Sequence, residues 1–207
     1  MTNFKTDLDI IIIGGGAAGF FAAINIAKQN PNLSIAILER GKTGLQKVKI
    51  SGGGRCNVTH AEFIPSELIE NYPRGKKELL GPFHTFMTGD TIAWFEERGI
   101  VLKIEEDGRM FPVSNSSQTI IDCFLNEAKK YNVEILYNHT VKTVIINEDK
   151  FIVKTNQGNL SANKIIMATG SNPKIWNLLS DLGHTIVSPV PSLFTFDIKD
   201  GRIKDIP

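Results

Sequence analysis

Ile10-Ile-Ile-Ile-Gly-Gly-Gly-Ala-Ala-Gly19 is the stretch that decides the fold of this 207-residue chain. Residues 8–13 are apolar apart from Asp9 and rich in isoleucine, and they stop at glycine, which predicts a buried parallel strand. Ala17–Gln29 predicts a helix, because its apolar residues share one face and Pro31 lies just beyond its end. A second apolar strand is predicted over residues 34–38. Together the three segments form a βαβ unit with a right-handed crossover.

The glycines of this stretch fit the spacing G-x-G-x-x-G. That spacing between a strand and a helix, with an acidic residue about twenty positions later, is the dinucleotide-binding fingerprint. Gly14 would make the tight turn and Gly16 would let the backbone approach a pyrophosphate. Gly19 would let the helix pack closely on the strand, and Glu39 is the acidic residue.

The helix start at Ala17 and Ala18 supplies unpaired N–H groups and a partial positive charge for the same phosphates. Glu39 can accept hydrogen bonds from the ribose hydroxyls of an adenosine. Arg40 could indicate a ribose 2′-phosphate and hence NADP, but the acidic neighbour would repel that group. A solvated charge at the strand end is the favoured interpretation of Arg40. A strand–helix turn that binds no ligand is the alternative for the whole unit.

A second glycine-rich stretch begins at Lys47 and reads Lys-Val-Lys-Ile-Ser-Gly-Gly-Gly-Arg-Cys-Asn. Its consecutive glycines, Gly52–Gly54, allow positive φ and bring backbone amides close to a ligand. Ser51, Arg55 and Asn57 add hydrogen-bond donors. A flavin cofactor would use such a second loop, whereas an NAD-dependent dehydrogenase has no need of it. A flexible surface loop is the alternative.

The cysteines and histidines predict neither a redox pair nor a metal site. Cys56 and Cys123 are far apart, so an inert packed thiol is favoured for Cys56 over a redox role. The four histidines are scattered, and we expect no metal.

Composition excludes several classes of protein. Apolar residues make up 42% and charged residues 22%, which is typical of a globular domain. A net charge of +1 argues against nucleic acid or an anionic membrane as the main partner. No apolar run is long enough for a signal peptide or a membrane span. The absence of a disulfide pattern fits a cytoplasmic location.

The remainder of the chain continues the alternation of strands and helices. Asp90 is predicted to cap a helix ending at Arg98, and Ser116 or Ser117 to cap one ending near Lys130. Residues 59–89 are interpreted as loop with short helices, and 105–108 as a turn. Further strands are predicted over 100–104, 133–137, 141–146, 151–155, 164–167 and 193–198, with a helix over 176–182.

These segments together resemble the bacterial NAD(P)/FAD-dependent oxidoreductases that include aminoacetone oxidase-like and BaiN-like flavoproteins. The resemblance implies an α/β fold, a Rossmann-like FAD-binding domain with a parallel sheet, helices and a β-meander, incomplete at its C-terminus. It covers nearly the whole chain, and the matching segments are 14–19, 47–59, 108–112, 168–170 and 191–193.

By this resemblance the cofactor is FAD, with NAD(P)H as a candidate electron donor. Ser51–Asn57 would lie along the flavin, and the backbone at Val141 would meet the adenine. Ala168, Thr169 and Gly170 would line the cofactor cleft. Arg109 is the candidate side chain to face the flavin or substrate, with an arginine of the turn as the alternative.

The sequence departs from the family in two ways. Residues 171–176 replace a further glycine-rich stretch, and family members run to about twice this length. Residues 1–185 are therefore predicted to form the FAD-binding domain, with an insertion of loop and helices near 60–115. Residues 186–207 are predicted to begin a second, truncated domain.

Three functions remain open. The first is a flavoenzyme that oxidises amines or reduces an unsaturated small-molecule substrate. The second is a non-catalytic FAD-binding piece that needs a downstream polypeptide, and the third is an NAD-dependent dehydrogenase.

Overall fold

A computed structural model describes residues 6–190 of the chain. The predicted βαβ unit is present as β1 (Asp7–Ile13), α1 (Ala17–Gln29) and β2 (Ile35–Leu38). The predicted strand over 193–198 and the matching segment 191–193 lie outside the described residues.

The other elements follow in chain order. Two short 3₁₀ turns also occur, over Ser51–Gly54 and Ile69–Asn71. The helices and strands are α2 (Gln46–Ile50), β3 (Thr59–His60), α3 (Pro65–Leu68), α4 (Lys76–Thr85), α5 (Thr88–Glu96), β4 (Leu102–Ile104), β5 (Arg109–Pro112), α6 (Ser117–Lys130), β6 (Glu134–Leu136), β7 (Val141–Asn147), β8 (Lys150–Thr155), β9 (Gly158–Met167) and α7 (Pro173–Asp181).

The main sheet has six strands in the order β6-β2-β1-β9-β8-β7. The first four are parallel, and β7, β8 and β9 form an antiparallel meander. This arrangement confirms the predicted α/β, Rossmann-like fold with a β-meander. Strands β3, β5 and β4 form a separate antiparallel sheet.

The register of the parallel strands brings three segments of the chain to one edge. Ile13 at the end of β1 is opposite Leu38 on one side and Met167 on the other. The residues that follow these strands therefore meet at the carboxyl edge of the sheet, where α/β proteins bind their ligands.

The core lies between the parallel strands and the helices α1 and α6. Phe20 and Ile24 of α1 are fully buried, as are Ile12 and Ile37 of the sheet. The spacing of Phe20 and Ile24 places them on one face of α1 and makes the helix amphipathic. Burial of that face against the sheet therefore stabilises the helix. Phe124 of α6 packs against the Phe20 ring, with 6.1 Å between centroids.

Several sequence interpretations need correction. The predicted strand 164–167 is the end of a longer strand, β9, which begins at Gly158. The insertion near 60–115 contains the small antiparallel sheet in addition to the predicted loops and helices, because its strands are too short to give a clear sequence signal.

Asp90 does not cap α5 as its first flanking residue. It is the third residue of the helix, where its Oδ2 accepts the Met87 N–H at 2.8 Å. The strand β5 directly follows the predicted turn and was missed, because Pro112 and its short length weaken the strand signal. The predicted cap at Ser116 is confirmed, since its Oγ accepts the Gln118 N–H at 3.3 Å.

Contacts divide the chain into one unit that ends at Asn172 and a second that begins at Pro173. The described part of the second unit contains α7, which is followed by Gly183 with a φ of 89°. The Gly183 N–H donates to the Ser180 carbonyl at 2.9 Å. The boundary at 185 and 186 stays a prediction. Among residues 6–190, no helix has the length and apolar character needed to cross a membrane.

Candidate nucleotide-binding site

The first glycine run, residues 14–19, is fixed by close backbone contacts at two of its glycines. A Cβ on Gly14, whose φ is 116°, would lie 2.4 Å from the Ala168 carbonyl oxygen. A Cβ on Gly19 would lie 2.0 Å from the Gly14 carbonyl oxygen. Packing therefore requires glycine at both positions, as the fingerprint predicts.

Gly16 differs from its neighbours because the space beside it is open. No described heavy atom beyond its chain neighbours would lie within 4 Å of a Cβ there. Its φ of −93° and ψ of −176° are extended, and no side chain caps the helix α1 that follows. The unpaired N–H groups at the start of α1 therefore face a space in which an anion can approach the backbone.

Glu39 connects the end of β2 to the first glycine run. Its Oε2 accepts the Gly15 N–H at 3.0 Å, and its Oε1 accepts the Gly41 N–H at 2.7 Å. Each carboxylate oxygen has a second lone pair, so the half-buried Glu39 can still accept a ribose hydroxyl. Arg40 is exposed, as expected for a solvated charge.

The loop before β7 lies beside Glu39. The Glu39 N–H donates to the Leu136 carbonyl, and the His139 N–H donates to the Glu39 carbonyl, both at 2.9 Å. Val141 begins β7 two residues later. The structure thus brings the backbone near Val141 to the strand end that carries Glu39.

Tyr137 in the same loop was missed by the sequence analysis. Burial raises the pKa of its phenol, the charge of Glu39 raises it further, and a hydrogen bond with the Gly44 backbone lowers it. No spacing rule points to a lone tyrosine after a short strand, so only the folded chain reveals its proximity to Glu39.

The second glycine run, Gly52–Gly54, is left-handed throughout, with φ values of 55°, 68° and 86°. A Cβ on Gly52 would lie 2.7 Å from Phe111 Cε1, whereas a Cβ on Gly53 would meet no described atom within 4 Å. Glycine is the residue that adopts this conformation without strain. The run therefore rests on the Phe111 ring at one end and is open at Gly53.

The guanidinium of Arg55 is directed at protein groups. Its Cζ lies 4.0 Å from the centroid of the Phe111 ring, and its Nη1 lies 2.5 Å from Glu105 Oε1. Its Nε donates to the Gly52 carbonyl at 3.4 Å. Phe111 and Glu105 were missed as site residues, because they lie about fifty positions along the chain from the run that they contact.

The Ala168–Gly170 segment returns to the first glycine run. The Ala168 N–H donates to the Ile13 carbonyl at 2.8 Å, which extends the pairing of β1 and β9. Gly170 has a φ of 61°, and a Cβ there would lie 3.5 Å from Lys47 Nζ. Thr169 lies between them and is half-buried. Lys47 of α2 therefore lies close to the turn that follows β9.

A cleft of about 420 Å³ opens beside the start of α1. It brings together six residues that the sequence assigned to cofactor binding, namely Ala17, Ala18, Lys47, Ser51, Cys56 and Asn57. The rest of its lining, apart from Thr91, is apolar and consists of Phe21, Val48, Val58, Phe86, Phe95, Ile120 and Phe124. A largely apolar lining with a few polar groups is the usual composition of a cofactor or substrate pocket.

The two thiols are held protonated at neutral pH. Burial raises the pKa of Cys56, and a hydrogen bond with Ser51 lowers it by less. Burial also raises the pKa of Cys123, to about 11. Within residues 6–190, no three His, Cys, Asp or Glu side chains cluster as metal ligands would.

Arg109 lies on β5, outside the lining of the cleft. Its Nε donates to Asp107 Oδ2 at 2.7 Å, and its side chain is 45% exposed. A hydrogen bond from the Arg109 backbone is the main cause that lowers the pKa of Asp107. A role for Arg109 toward flavin or substrate stays a prediction.

A parallel sheet with this glycine run between β1 and α1, and with a glutamate at the end of β2, defines a Rossmann nucleotide-binding domain. Residues 8–192 match the family described as the HI0933-like protein Rossmann domain. The chain therefore belongs to that family.

Similar proteins carry oxidoreductase names. The chain is 29% identical to a ribosomal RNA dihydrouridine synthase from Haemophilus influenzae, over 92% of this chain and 49% of that protein. It is 26% identical to a 3-dehydro-bile acid delta(4,6)-reductase from Clostridium scindens, over 91% of this chain and 47% of that protein. The chain thus spans about half the length of the curated relatives it matches.

Solved structures agree on the fold. A 3-ketosteroid-delta4-(5alpha)-dehydrogenase from Rhodococcus jostii superposes with a TM-score of 0.59 at 15% identity. That likeness covers 85% of this chain and 49% of the dehydrogenase. At so low an identity it supports the fold and carries no information about substrate.

Proposed function

We propose that this chain is the FAD-binding part of an oxidoreductase that transfers hydride to or from a small organic substrate. The observation that carries the proposal is the open space at Gly16, between two glycines that backbone contacts hold in place. When bound, FAD supplies hydride transfer at its flavin ring. The residues of this chain bind the cofactor and orient it.

The pyrophosphate has a fitting cradle at the start of α1. This helix has 13 residues, so its N-terminus carries a partial positive charge, and Gly16 leaves room for the phosphate oxygens. The exposed ammonium of Lys47 lines the adjoining cleft and adds a cation. Glu39 would bind the ribose and the backbone near Val141 the adenine.

The flavin half fits the side of the site formed by the second glycine run. Ser51 and Asn57 line the cleft with groups that can hydrogen-bond to a polar ring edge. Phe95, Phe124 and their apolar neighbours exclude water from the opposite wall. Thr169 and Gly170 would line the cofactor between these two regions.

Reduction of a carbon–carbon double bond is the reaction that the relatives favour. The names dihydrouridine synthase and delta(4,6)-reductase both denote the addition of hydrogen to an unsaturated compound. We propose a small molecule as the substrate, because a net charge of +1 gives RNA little electrostatic attraction. Ribosomal RNA is the second candidate, on the strength of the H. influenzae relative.

Two further components belong to this proposal. NAD(P)H is the proposed electron donor, and a downstream polypeptide is the proposed supplier of the rest of the active site. The second follows from the matched length, since the chain spans about half of each relative.

Binding is tested with two matched glycine variants. Gly16→Ala places a methyl group in the space proposed for the pyrophosphate. Gly89→Ala places one on α5, where it would meet only the Phe63 ring at 3.9 Å. We expect the wild type to carry flavin absorbance, Gly16→Ala to bind FAD at least about tenfold more weakly, and Gly89→Ala to match the wild type.

Three outcomes discriminate the proposal from its alternatives. A colourless protein that binds NAD and not FAD would make it an NAD-dependent dehydrogenase. Equal FAD affinity in the wild type and Gly16→Ala would show that the pyrophosphate does not bind beside Gly16. Turnover of NAD(P)H, with an unsaturated small molecule or a ribosomal RNA fragment offered separately, then distinguishes the two substrate classes and reveals whether a downstream polypeptide is needed.

A further inference from the structure

The second glycine run touches the small antiparallel sheet through one charged side chain. We propose that Arg55 is a positioning residue. By stacking on Phe111 and pairing with Glu105, it holds Gly52–Gly54 in the conformation that receives the flavin half of the cofactor, without touching the cofactor. This inference rests on the proposed function, because it takes the run to face FAD.

The guanidinium of Arg55 contacts three protein groups, the carboxylate of Glu105, the ring of Phe111 and the carbonyl of Gly52. Its Nη1 and Nη2 lie 2.5 Å and 3.4 Å from the two carboxylate oxygens of Glu105. Its plane lies over the ring of Phe111, a residue with no exposed surface, and its Nε reaches the Gly52 carbonyl. A planar fork that stacks and pairs at once is a property of arginine that lysine lacks.

The two ends of the loop are joined to each other, and the chain just beyond the loop is joined to β5. The Cys56 N–H donates to the Ser51 carbonyl at 3.0 Å, and the Val58 N–H donates to the Met110 carbonyl at 2.9 Å. Gly52 contacts the Phe111 ring, while Gly53 stands in open space. Glycine has more backbone freedom than any other residue, so the left-handed run has little intrinsic tendency to keep one conformation.

Arg55 compensates for that freedom. Its guanidinium bonds to the Gly52 carbonyl and at the same time to Glu105, the first residue after β4. Ordering the loop before the ligand arrives removes part of the entropy cost of binding, which raises affinity. Loss of the Arg55 contacts should therefore weaken only ligands that reach the second run.

Arg98 provides a matched control on another ring. Its Cζ lies 3.7 Å from the centroid of the Trp94 ring, and its Nε donates to Glu127 Oε2 at 2.9 Å. Its Nη1 donates to the Trp94 carbonyl at 2.6 Å, so these contacts lie on α5 and α6 and not on the second glycine run. The change of arginine to lysine at this position alters the same chemistry without loosening the loop.

The experiment compares the affinities of FAD and ADP in the full chain. ADP carries only the adenosine and pyrophosphate, which meet the first glycine run, whereas FAD also reaches the second. We expect Arg55→Lys to weaken FAD about tenfold and to leave ADP within about twofold. Arg98→Lys should not weaken FAD relative to ADP. Thermal unfolding of the ligand-free variants reports whether the fold itself has been altered.

The variant Glu105→Gln distinguishes a positioning role of Arg55 from a direct contact of Arg55 with the cofactor, because it leaves the Arg55 side chain in the protein. If Arg55 acts through the loop, this variant weakens FAD selectively, and the Arg55→Lys, Glu105→Gln double variant is no weaker than the worse single variant. An unchanged FAD affinity in Glu105→Gln would overturn the inference in favour of a direct contact. Equal weakening of FAD and ADP in Arg55→Lys would overturn it in favour of general unfolding.

The wild type distinguishes this inference from the function on which it rests. A wild-type chain that binds neither FAD nor ADP overturns the proposed function and the inference with it. A wild-type chain that binds both, beside an Arg55→Lys variant with unaltered FAD affinity, overturns the inference alone.

Discussion

In the first glycine run, glycines are required by backbone atoms: Gly14 abuts the Ala168 carbonyl and Gly19 abuts the carbonyl of Gly14. In the second run, Gly52 alone is closely packed, against the ring of Phe111 and the backbone nitrogen of Asn57 in the same loop. The first run has one glycine facing open space, Gly16, and the second run has Gly53 in the same situation.

The difference shows that glycine serves two purposes in this protein. Backbone neighbours cannot move without shifting the sheet or α1, so the first run is part of the fold. The backbone neighbour of Gly52 belongs to Asn57 in the same loop, so the second run can shift together with its own loop, although the buried ring of Phe111 limits that shift on one side. In both cases, the open glycine is the position that a ligand can reach.

The largest effect is expected from Gly19→Ala. The new Cβ would lie 2.0 Å from the Gly14 carbonyl oxygen, and neither α1 nor β1 can move away without losing core contacts. We expect a loss of about 3 kcal/mol or more in the free energy of unfolding, or failure to fold. Urea unfolding monitored by circular dichroism measures it, and a loss below about 1 kcal/mol would contradict the tight packing.

Gly52→Ala and Gly53→Ala together separate strain from contact. Both place a Cβ on a left-handed residue, which costs about 1–2 kcal/mol each. Only the Cβ at Gly52 also meets close neighbours, the Phe111 ring at 2.7 Å and the Asn57 backbone nitrogen at 2.9 Å, so we expect about 1 kcal/mol more there. The same urea titration compares the two variants, and equal losses would mean that both neighbours move away freely.

A smaller effect is expected from Glu39→Gln, because only one of two hydrogen bonds is lost. The amide oxygen can still accept one of the N–H groups of Gly15 and Gly41, but the amide nitrogen cannot accept the other. We expect a loss of about 1–2 kcal/mol in stability and weaker ADP binding. Arg40→Gln, one residue further and exposed, serves as the control and should change neither.

The smallest expected effect is on the alkylation rate of Cys56, which lies beside the second glycine run. Cys56 lines the cleft and Cys123 does not, and the pKa of each thiol is raised by burial. The thiolate is the reactive form, so alkylation by iodoacetamide at neutral pH should be slow and should rise about tenfold per pH unit. We expect Cys56 to react before Cys123, and FAD to slow Cys56 alone, as mass spectrometry of peptides would measure.

The βαβ unit could be predicted with its helix bounds because its signals are local. The apolar period of α1, the glycines before it and Pro31 after it all lie within the segment that they specify. The strand β5 could not be predicted, because it is short and its pairing with β4 and β3 is decided by residues outside it. The start of α5 was placed three residues late, since Asp90 acts from the third position of the helix and not from the cap before it.

The residues of the candidate site also divide into those that the sequence could reveal and those that it could not. Positions whose role follows from spacing, such as Gly14, Gly16 and Glu39, could be identified from the sequence alone. Glu105, Phe111 and Tyr137 could not, because each reaches the site through tertiary packing. Arg55 was identified by its place beside the glycines, but its contacts became visible only in the fold.

The pairing of β1 with β9 has a consequence for how the chain is made. Ile10 of β1 pairs with Ile35 on one side and with Lys164 on the other. At a synthesis rate of roughly 5–20 residues per second, the second partner emerges from the ribosome roughly 8–30 s after β1. Until then, the four-isoleucine strand presents an open apolar edge, the kind that templates aggregation. The strand that carries the nucleotide fingerprint is thus one that needs protection during translation.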